Sequence, residues 1–423
     1  MANVLFMLGA FYPEPSANGV CCDALIKYFV KKNHKVHVVC NKQIGLKNTV
    51  KKGETTIYPI PDLLYQQFAE MKRHEQSKPK QIWYSIAEKT TDYIRLFAYL
   101  PFFPICSPIR KQNFYKVARD IICHENIDIV ISVCMPGDAV FATEKLKVLY
   151  PKTLFITYLL DPIAGGLKHK LYTQRHAYSL ALKREKKIVK ISDSVIAQLE
   201  HEAHFRKEYP QSELTKFSFL GVPLLTERLT KPKIKKDIKT VVYAGAISES
   251  NRNPHYIINV FKKVKNAKLI MYITNDPSIA IEAANQSPNI KICGRVSHDE
   301  LEAILLDADA FINIGNNQKM QSPSKLIEYI SYGKPIISTY RIDGDTSVDL
   351  LRNYPSRLFL DEREDQDIAA VALSIERFLV NHEETTPYYE LQHRYKAFSA
   401  EAFYDAVMKN YTNNGVTQIG EAK

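Results

Sequence analysis

Short apolar runs alternate with segments of helical spacing along most of this chain. Residues 3–8, apolar from Val4 onward, read as a buried strand, followed by a turn through Pro13 and Pro15. Residues 20–32 then carry Ala24, Leu25, Tyr28 and Phe29 at the spacing of one helix face. Further strands are expected at 35–40, 127–133, 153–159 and 194–197. Strands separated by helical segments build βαβ units, so the first half predicts a mostly parallel sheet.

Between about residues 62 and 113 that alternation breaks down. Lys, Gln and Glu dominate its first part, aromatics and prolines its second, and the stretch reads as an insertion on the first domain. The alternation restarts after a basic, proline-containing stretch at 223–239, PLLTERLTKPKIKKDIK, which is the expected linker. Strands are predicted at 240–244, 268–273, 290–293, 310–314, 335–338 and 357–360, with helices at 297–306 and 323–332 among those between them. The fold class is therefore α/β, with two Rossmann-like doubly wound domains at 1–222 and 240–397. Ligands of such sheets bind beyond the carboxyl ends of the strands, here expected in a cleft between the domains.

Composition narrows the reading. A chain of 423 residues suits two domains, and 45% hydrophobic residues with 19 Phe and 25 Tyr exclude disorder. The formal charge of +11 fits an anionic membrane surface, a polyanion or a lysine-rich solvated exterior. The basic residues are spread along the chain and no RNA- or DNA-binding motif accompanies them, so nucleic acid is not expected as a partner. The cysteines at 21, 22, 40, 106, 123, 134 and 293 form no CxxC or Cys/His spacing, and their odd number argues for a reducing compartment. The N-terminal run lacks a basic leader and breaks at Pro13, unlike a signal peptide. No apolar run reaches 18 residues; the nearest, 93–108, holds Arg95 and three prolines.

The densest candidate chemistry lies at 312–335, INIGNNQKMQSPSKLIEYISYGKP. A strand ends near Ile314, a polar loop follows, and Pro323 occupies a first-helical position with Ser322 as N-cap. A helix N-terminus presents free N–H groups and a positive dipole end, which suits a diphosphate. Lys325 adds a cation, and Glu328 projects from the same helix toward ribose hydroxyls. The same residues also fit an ordinary capped amphipathic helix.

Residues 321–337, QSPSKLIEYISYGKPII, resemble the C-terminal signature of GT-B fold glycosyltransferases of family 4. The resemblance implies that Glu328 binds the donor ribose, that the amides around Ser322, Ser324 and Lys325 hold the donor diphosphate, and that Gly333, Lys334 and Pro335 form the following turn. Met320 stands where the family carries a first Glu that contacts the transferred sugar; Asn316, Asn317 or Gln318 are its candidate substitutes. Residues 241–254, VVYAGAISESNRNP, resemble the first βα turn of the donor domain. This points to Gly245 for close approach and to Arg252 as the phosphate-neutralising cation, since Ala246 replaces the usual Arg. Residues 290–309 resemble the next landmark, with Arg295 and Val296 beside the base. Ser297 and Glu300 form a capping box there, which makes His298 a first-turn helix residue. In the first half, GAFYPEPSANGV at 9–20 resembles the acceptor-side loop, with Asn18 and Gly19 near the ligands. YLLDPIAGG at 158–166 places Asp161 at a strand end beside the reacting sugar. Asp343-Gly344-Asp345 has the form of a metal-binding Asp-x-Asp but reads as a turn, so no metal site is expected.

Taken over about residues 3–360, the resemblance implies a retaining transferase that uses a nucleotide sugar, UDP-type in preference, as co-substrate without other cofactors. Arg252 and Lys325 would offset charge on the leaving diphosphate, with Asp161 on the acceptor side. The terminal segment 398–423 would be a helix crossing back to the first domain. The setting implied is bacterial surface-polysaccharide assembly, capsule or lipopolysaccharide, on a saccharide acceptor that is lipid-linked. The protein would be cytoplasmic and peripheral on the inner face of the membrane. Leu96, Phe97, Tyr99, Leu100, Phe102 and Phe103, beside Arg95, Arg110, Lys111 and Lys116, are the candidate anionic-membrane contact; packing on the first domain's own core is the alternative. A nucleotide-sugar 2-epimerase and a catalytically silent scaffold of the same fold remain as rivals.

Overall fold

The computed structural model describes residues 1–43, 46, 49–166, 169–228, 236–317, 324–364 and 367–420. The chain packs as two units, Met1–Pro223 with Ala400–Lys423, and Leu224–Ser399. The first unit holds one sheet of β1 (Asn3–Met7), β2 (Lys35–Asn41), β3 (Val50–Lys52), β4 (Thr55–Ile60), β5 (Ile129–Cys134), β6 (Leu154–Leu159), β7 (Ser194–Gln198) and β8 (Phe217–Leu220). Their order is β3-β4-β2-β1-β5-β6-β7-β8, parallel except for β3, which pairs antiparallel with β4. Strands β5, β6 and β7 are buried along their whole length, as a parallel sheet covered on both faces requires.

The helices of this unit used below are α1 (Ala17–Lys31), α2 (Leu64–His74), α3 (Lys78–Ala98), α4 (Pro108–Glu125), α5 (Gly137–Leu149) and α6 (Gln174–Ile191). The irregular stretch at 62–113 is thus a helical hairpin, α2–α3, leading into α4. Its helices escaped the apolar count for a physical reason: α2 has no buried residue and α3 only Leu96, so neither carries a core-facing stripe. The C-terminal helix Ala400–Gly420 also belongs to this unit. Phe403 is buried with its ring 4.9 Å from Tyr158, and the Tyr404 ring lies 5.1 Å from Phe29.

The second unit holds β9 (Lys239–Gly245), β10 (Ala267–Ile273), β11 (Ile290–Cys293), β12 (Ala310–Asn313), β13 (Ile336–Tyr340) and β14 (Arg357–Asp361). All pairs are parallel, in the order β11-β10-β9-β12-β13-β14. Counted from its own first strand this is the dinucleotide-fold order, whose direction reverses between β9 and β12. The helices are α7 (His255–Phe261), α8 (Ser278–Ala284), α9 (His298–Asp307), α10 (Ser324–Ser331), α11 (Thr346–Leu351) and α12 (Ile368–Asn381). One face of the sheet packs Val241, Leu269, Met271 and Ile312 against Ile257, Ile258, Phe261, Val371 and Ile375. No helix among the described residues is long and apolar enough to cross a membrane.

Candidate functional site

Helix α10 carries the signature residues, and its fixation starts with its apolar side. Leu326, Ile327, Tyr329 and Ile330 are buried. The Tyr329 ring stacks on Phe311 at 4.5 Å, and its hydroxyl accepts the Ala244 N–H at 2.8 Å, near the end of β9. Burial pushes the Tyr329 pKa well up, so the phenol stays a neutral strut. Beyond the helix, Gly333 has φ +65°, and a Cβ there would meet the Thr386 carbonyl oxygen at 2.2 Å. Lys334 is buried, with Nζ donating to the carbonyls of Leu305, Leu306 and Ala308 at 2.7–2.9 Å. It therefore closes the C-terminal end of α9, where a cation also favours the helix dipole.

Three residues of α10, Ser324, Lys325 and Glu328, remain partly exposed. Lys325 Nζ lies 2.7 Å from Glu328 Oε2, so the expected cation and the expected ribose acceptor hold each other. Ser324 opens the helix. Ser322, Met320 and Gln318, and part of the expected linker at 229–235, lie outside the described residues.

The loops after β9 and β12 are tied together across the point where strand order reverses. Arg252 Nε donates to Asn316 Oδ1 at 2.7 Å. Asn317 reaches the same loop, its side chain donating to the Ser250 carbonyl at 2.7 Å and its N–H to Asn251 Oδ1 at 2.8 Å. Asn316 is itself buried and donates its N–H to Asp345 Oδ2 at 3.1 Å. Asp345 Oδ1 accepts the Ser347 N–H at 2.8 Å, capping α11. The turn into this cluster needs glycine, because a Cβ on Gly315 would lie 2.6 Å from the Thr339 carbonyl oxygen. Asp343, by contrast, is exposed and pairs with Arg363 at 2.7 Å. The two carboxylates of the Asp-Gly-Asp turn thus serve different neighbours.

Gly245 closes β9, and a Cβ there would sit 3.1 Å from the Tyr243 hydroxyl, which donates to the Ala246 carbonyl at 2.7 Å. Arg295 and Val296 follow β11 and line an open cavity of about 470 Å3 with Tyr272, Cys293, Ala303 and Ile304. The Ser297–Glu300 capping box is present, and His298 opens α9. Gly245, Arg252, Arg295, Val296, Ser324, Lys325 and Glu328 therefore share the carboxyl edge of one parallel sheet.

The first unit holds the other candidates. Gly19 sits in the first turn of α1; its N–H is taken by Ser16 Oγ at 3.2 Å, and a Cβ would meet the Ala10 carbonyl oxygen at 2.4 Å. Loop packing alone accounts for this glycine. Asn18 beside it is half-buried. Asp161 follows β6, with its side chain 55% exposed and Oδ1 3.6 Å from Nε2 of buried His201, which follows β7. The His201 Nδ1 atom is buried without a hydrogen-bond partner among the described residues. Sequence spacing gave no reason to single out His201; its one signal is a position just past a strand adjacent to the Asp161 strand.

Residues 238–379 match the family model described as glycosyl transferases group 1. No curated protein matches the chain. Among solved structures, sucrose-phosphate synthase from Thermosynechococcus elongatus is 13% identical over 100% of both chains, with a TM-score of 0.60. HepE from Anabaena, solved in complex with UDP and glucose, is 10% identical over 100% of this chain and 99% of its own, with a TM-score of 0.53. WaaG, a glycosyltransferase involved in lipopolysaccharide biosynthesis, is 11% identical over 95% of each chain, with a TM-score of 0.50. With two parallel-sheet units and a glycosyl transferases group 1 domain at 238–379, the chain is a glycosyltransferase of the GT-B fold.

Proposed function

We propose that the protein is a retaining glycosyltransferase that moves a sugar from a nucleotide-sugar donor, UDP-type in preference, to a lipid-linked saccharide acceptor in surface-polysaccharide assembly. The observation that carries the donor reading is the Arg252–Asn316 bond across the strand-order reversal. A departing nucleoside diphosphate needs positive charge and oriented dipoles, because charge builds on its oxygens in the transition state. Arg252, Lys325 and the amides at the start of α10, from Ser324, supply both. Glu328 takes the ribose hydroxyls, Arg295 and Val296 border the base, and Gly245 lets the backbone approach. Asn316, Asn317 or Gln318 read the sugar in place of the carboxylate that Met320 replaces.

The bond from the sugar to the phosphate oxygen breaks as the acceptor oxygen bonds the same sugar carbon on the same face. The acceptor proton passes to the leaving phosphate. The protein's part is positioning and electrostatics. Asp161 and Asn18 serve the acceptor side, with Gly19 next to Asn18 in the chain. No resident cofactor or metal enters this scheme. WaaG's role in lipopolysaccharide biosynthesis, on a similar fold, supports a surface-polysaccharide setting.

A thermal-shift screen against UDP, GDP, ADP and their sugars tests the donor, because a ligand that binds the folded state raises its stability. Stabilisation by one nucleotide series, abolished in Glu328→Ala, is expected. Slow release of free sugar from that donor by the intact protein, lost in the variant, then separates an enzyme from a silent scaffold. Release of an epimerised nucleotide sugar without any acceptor would replace this reading with the epimerase.

A further inference from the structure

We propose that the outward face of the α2–α3 hairpin docks on an anionic lipid bilayer. Ile82, Trp83, Ile86, Tyr93, Ile94 and Phe97 are all exposed, Trp83 by 58% and Phe97 by 63%. At 3.6 residues per turn they fall within about 120° of the circumference of α3. That strip holds no acidic residue. Glu88 and Asp92 lie off it and are neutralised by Lys72 at 2.5 Å and Arg95 at 2.6 Å.

Charge says which occupant fits. Lys78 and Lys89 are exposed along one border of the strip. Lys170, also exposed, sits 5.5 Å over the Tyr93 ring. An apolar strip edged by cations suits a surface that offers acyl chains at its centre and negative headgroups at its rim. Beside Ile94, the groove between α2, α3 and α4 opens into a cavity of about 290 Å3. Exposed Leu64, Ile94 and Ile109 stand at this cavity, and Arg110, buried and paired with Asp138 at 2.8 Å, also lines it. The cavity gives one lipid chain a place to enter.

The face differs from the 93–118 segment that composition suggested. Leu96 and Arg110 are buried and Phe103 packs on the first unit's core, whereas Ile82, Trp83 and Ile86 lie outside that segment. The inference gives the lipid-linked acceptor a surface to be met on and rests on the proposed function only for that purpose.

Trp83 is the single tryptophan of the chain, so its emission reports the face directly. The full protein is mixed with vesicles of phosphatidylglycerol and phosphatidylcholine, or of phosphatidylcholine alone, and floated on a density gradient. Expected are cofloating with the anionic vesicles, a shift of Trp83 emission to shorter wavelength, and loss of acrylamide quenching. All three should weaken between about 0.1 M and about 1 M salt, where the screening length falls from about 10 to about 3 Å. Ile86→Glu with Phe97→Glu should abolish cofloating while leaving the melting temperature and the nucleotide-induced shift unchanged, since both side chains are solvent-facing. Retention of that nucleotide shift separates failure of docking from failure of the donor reading. The proposal is overturned if the native protein stays off anionic vesicles at low salt, or cofloats with unchanged Trp83 emission. Equal binding of the double variant also overturns it. So does a vesicle-free emission shift that tracks dimerisation, which would assign the face to a second copy.

Discussion

Asp345→Ala tests whether the Asp-Gly-Asp turn organises the donor loops or belongs to metal chemistry. The carboxylate is buried and accepts two backbone N–H groups, from Ser347 at 2.8 Å and Asn316 at 3.1 Å. Removing it deletes an N-cap, which costs about 1 kcal/mol. It also leaves the Asn316 N–H buried without a partner, a further cost of about 1–3 kcal/mol. The contacts share one side chain, so the terms are not strictly additive, and about 2–4 kcal/mol is the expected loss. Because Asn316 is the acceptor for Arg252, the same variant should also shrink the nucleotide-induced thermal shift.

Urea unfolding followed by circular dichroism reads the first effect. A chain of two units need not unfold in one step, so the transition that moves is the quantity to follow. Asp345→Asn keeps one acceptor oxygen and should lose about half as much. A change below about 0.5 kcal/mol, the ordinary scale of a surface substitution, would refute the reasoning. Unchanged stability with activity lost and then restored by added divalent metal would hand Asp345 to a metal site.

Gly333→Ala should cost at least about 2 kcal/mol in the same unfolding assay, because φ +65° is strained for alanine and its Cβ meets the Thr386 carbonyl oxygen at 2.2 Å. Arg252→Ala should lower kcat/KM for the donor by about 10²–10³, the scale of losing one preorganised donor in a site of developing charge. Arg252→Lys should recover only part of that loss, since an ammonium keeps the charge without the Nε bond to Asn316. His34 is held below its ordinary pKa of 6.5, chiefly by burial; its Nδ1 accepts the Ala2 N–H at 3.1 Å and its Nε2 meets the Tyr404 hydroxyl at 3.1 Å. The folded state thus binds fewer protons than the unfolded one. His34 should contribute stability above about pH 6.5 that is lost as pH falls below it, and His34→Leu should flatten that part of the urea-midpoint profile.

The parallel strands were legible because a sheet covered on both faces writes continuous apolar runs, as in VVYA at 241–244 and IVISVC at 129–134. Strands β3, β4 and β8 were not. VKK is a polar edge, TTIYPI mixes a proline with half-buried positions, and FSFL is half-buried throughout. The α2–α3 hairpin stayed hidden for another reason: its apolar residues are half-buried between the two helices or exposed, with only Leu96 buried, so no buried apolar run marked it. Within the candidate site, the Ser297–Glu300 capping box could be read from spacing because both partners lie within one helical turn. The Arg252–Asn316–Asp345 chain could not, since its members are 64 and 29 residues apart and meet only through sheet order. Lys334 shows the limit of a motif: the resemblance places it in the turn after the signature helix, but only the structure shows three carbonyls at another helix end claiming it.

Under the proposed function, the Lys325–Glu328 pair bears on the electrostatics of donor entry. It is three residues long on one helix and partly exposed, so its own contribution is about 0–1 kcal/mol. On that reading, a diphosphate approaching the start of α10 would meet a cation already beside a carboxylate, and exchanging that partner would cost little. Lys325 would gain a more highly charged partner. Glu328 would turn to neutral ribose hydroxyls, which donate without requiring a counter-cation. A weak pair is thus well suited to this site. It keeps Glu328 from facing the diphosphate uncompensated, and it holds the cation near the helix end. A strongly buried pair would resist the exchange, because separating its charges leaves one of them uncompensated. Tyr329, one position along the helix, is the complement. Its buried hydroxyl and stacked ring fix the helix independently of what the Lys325 side pairs with.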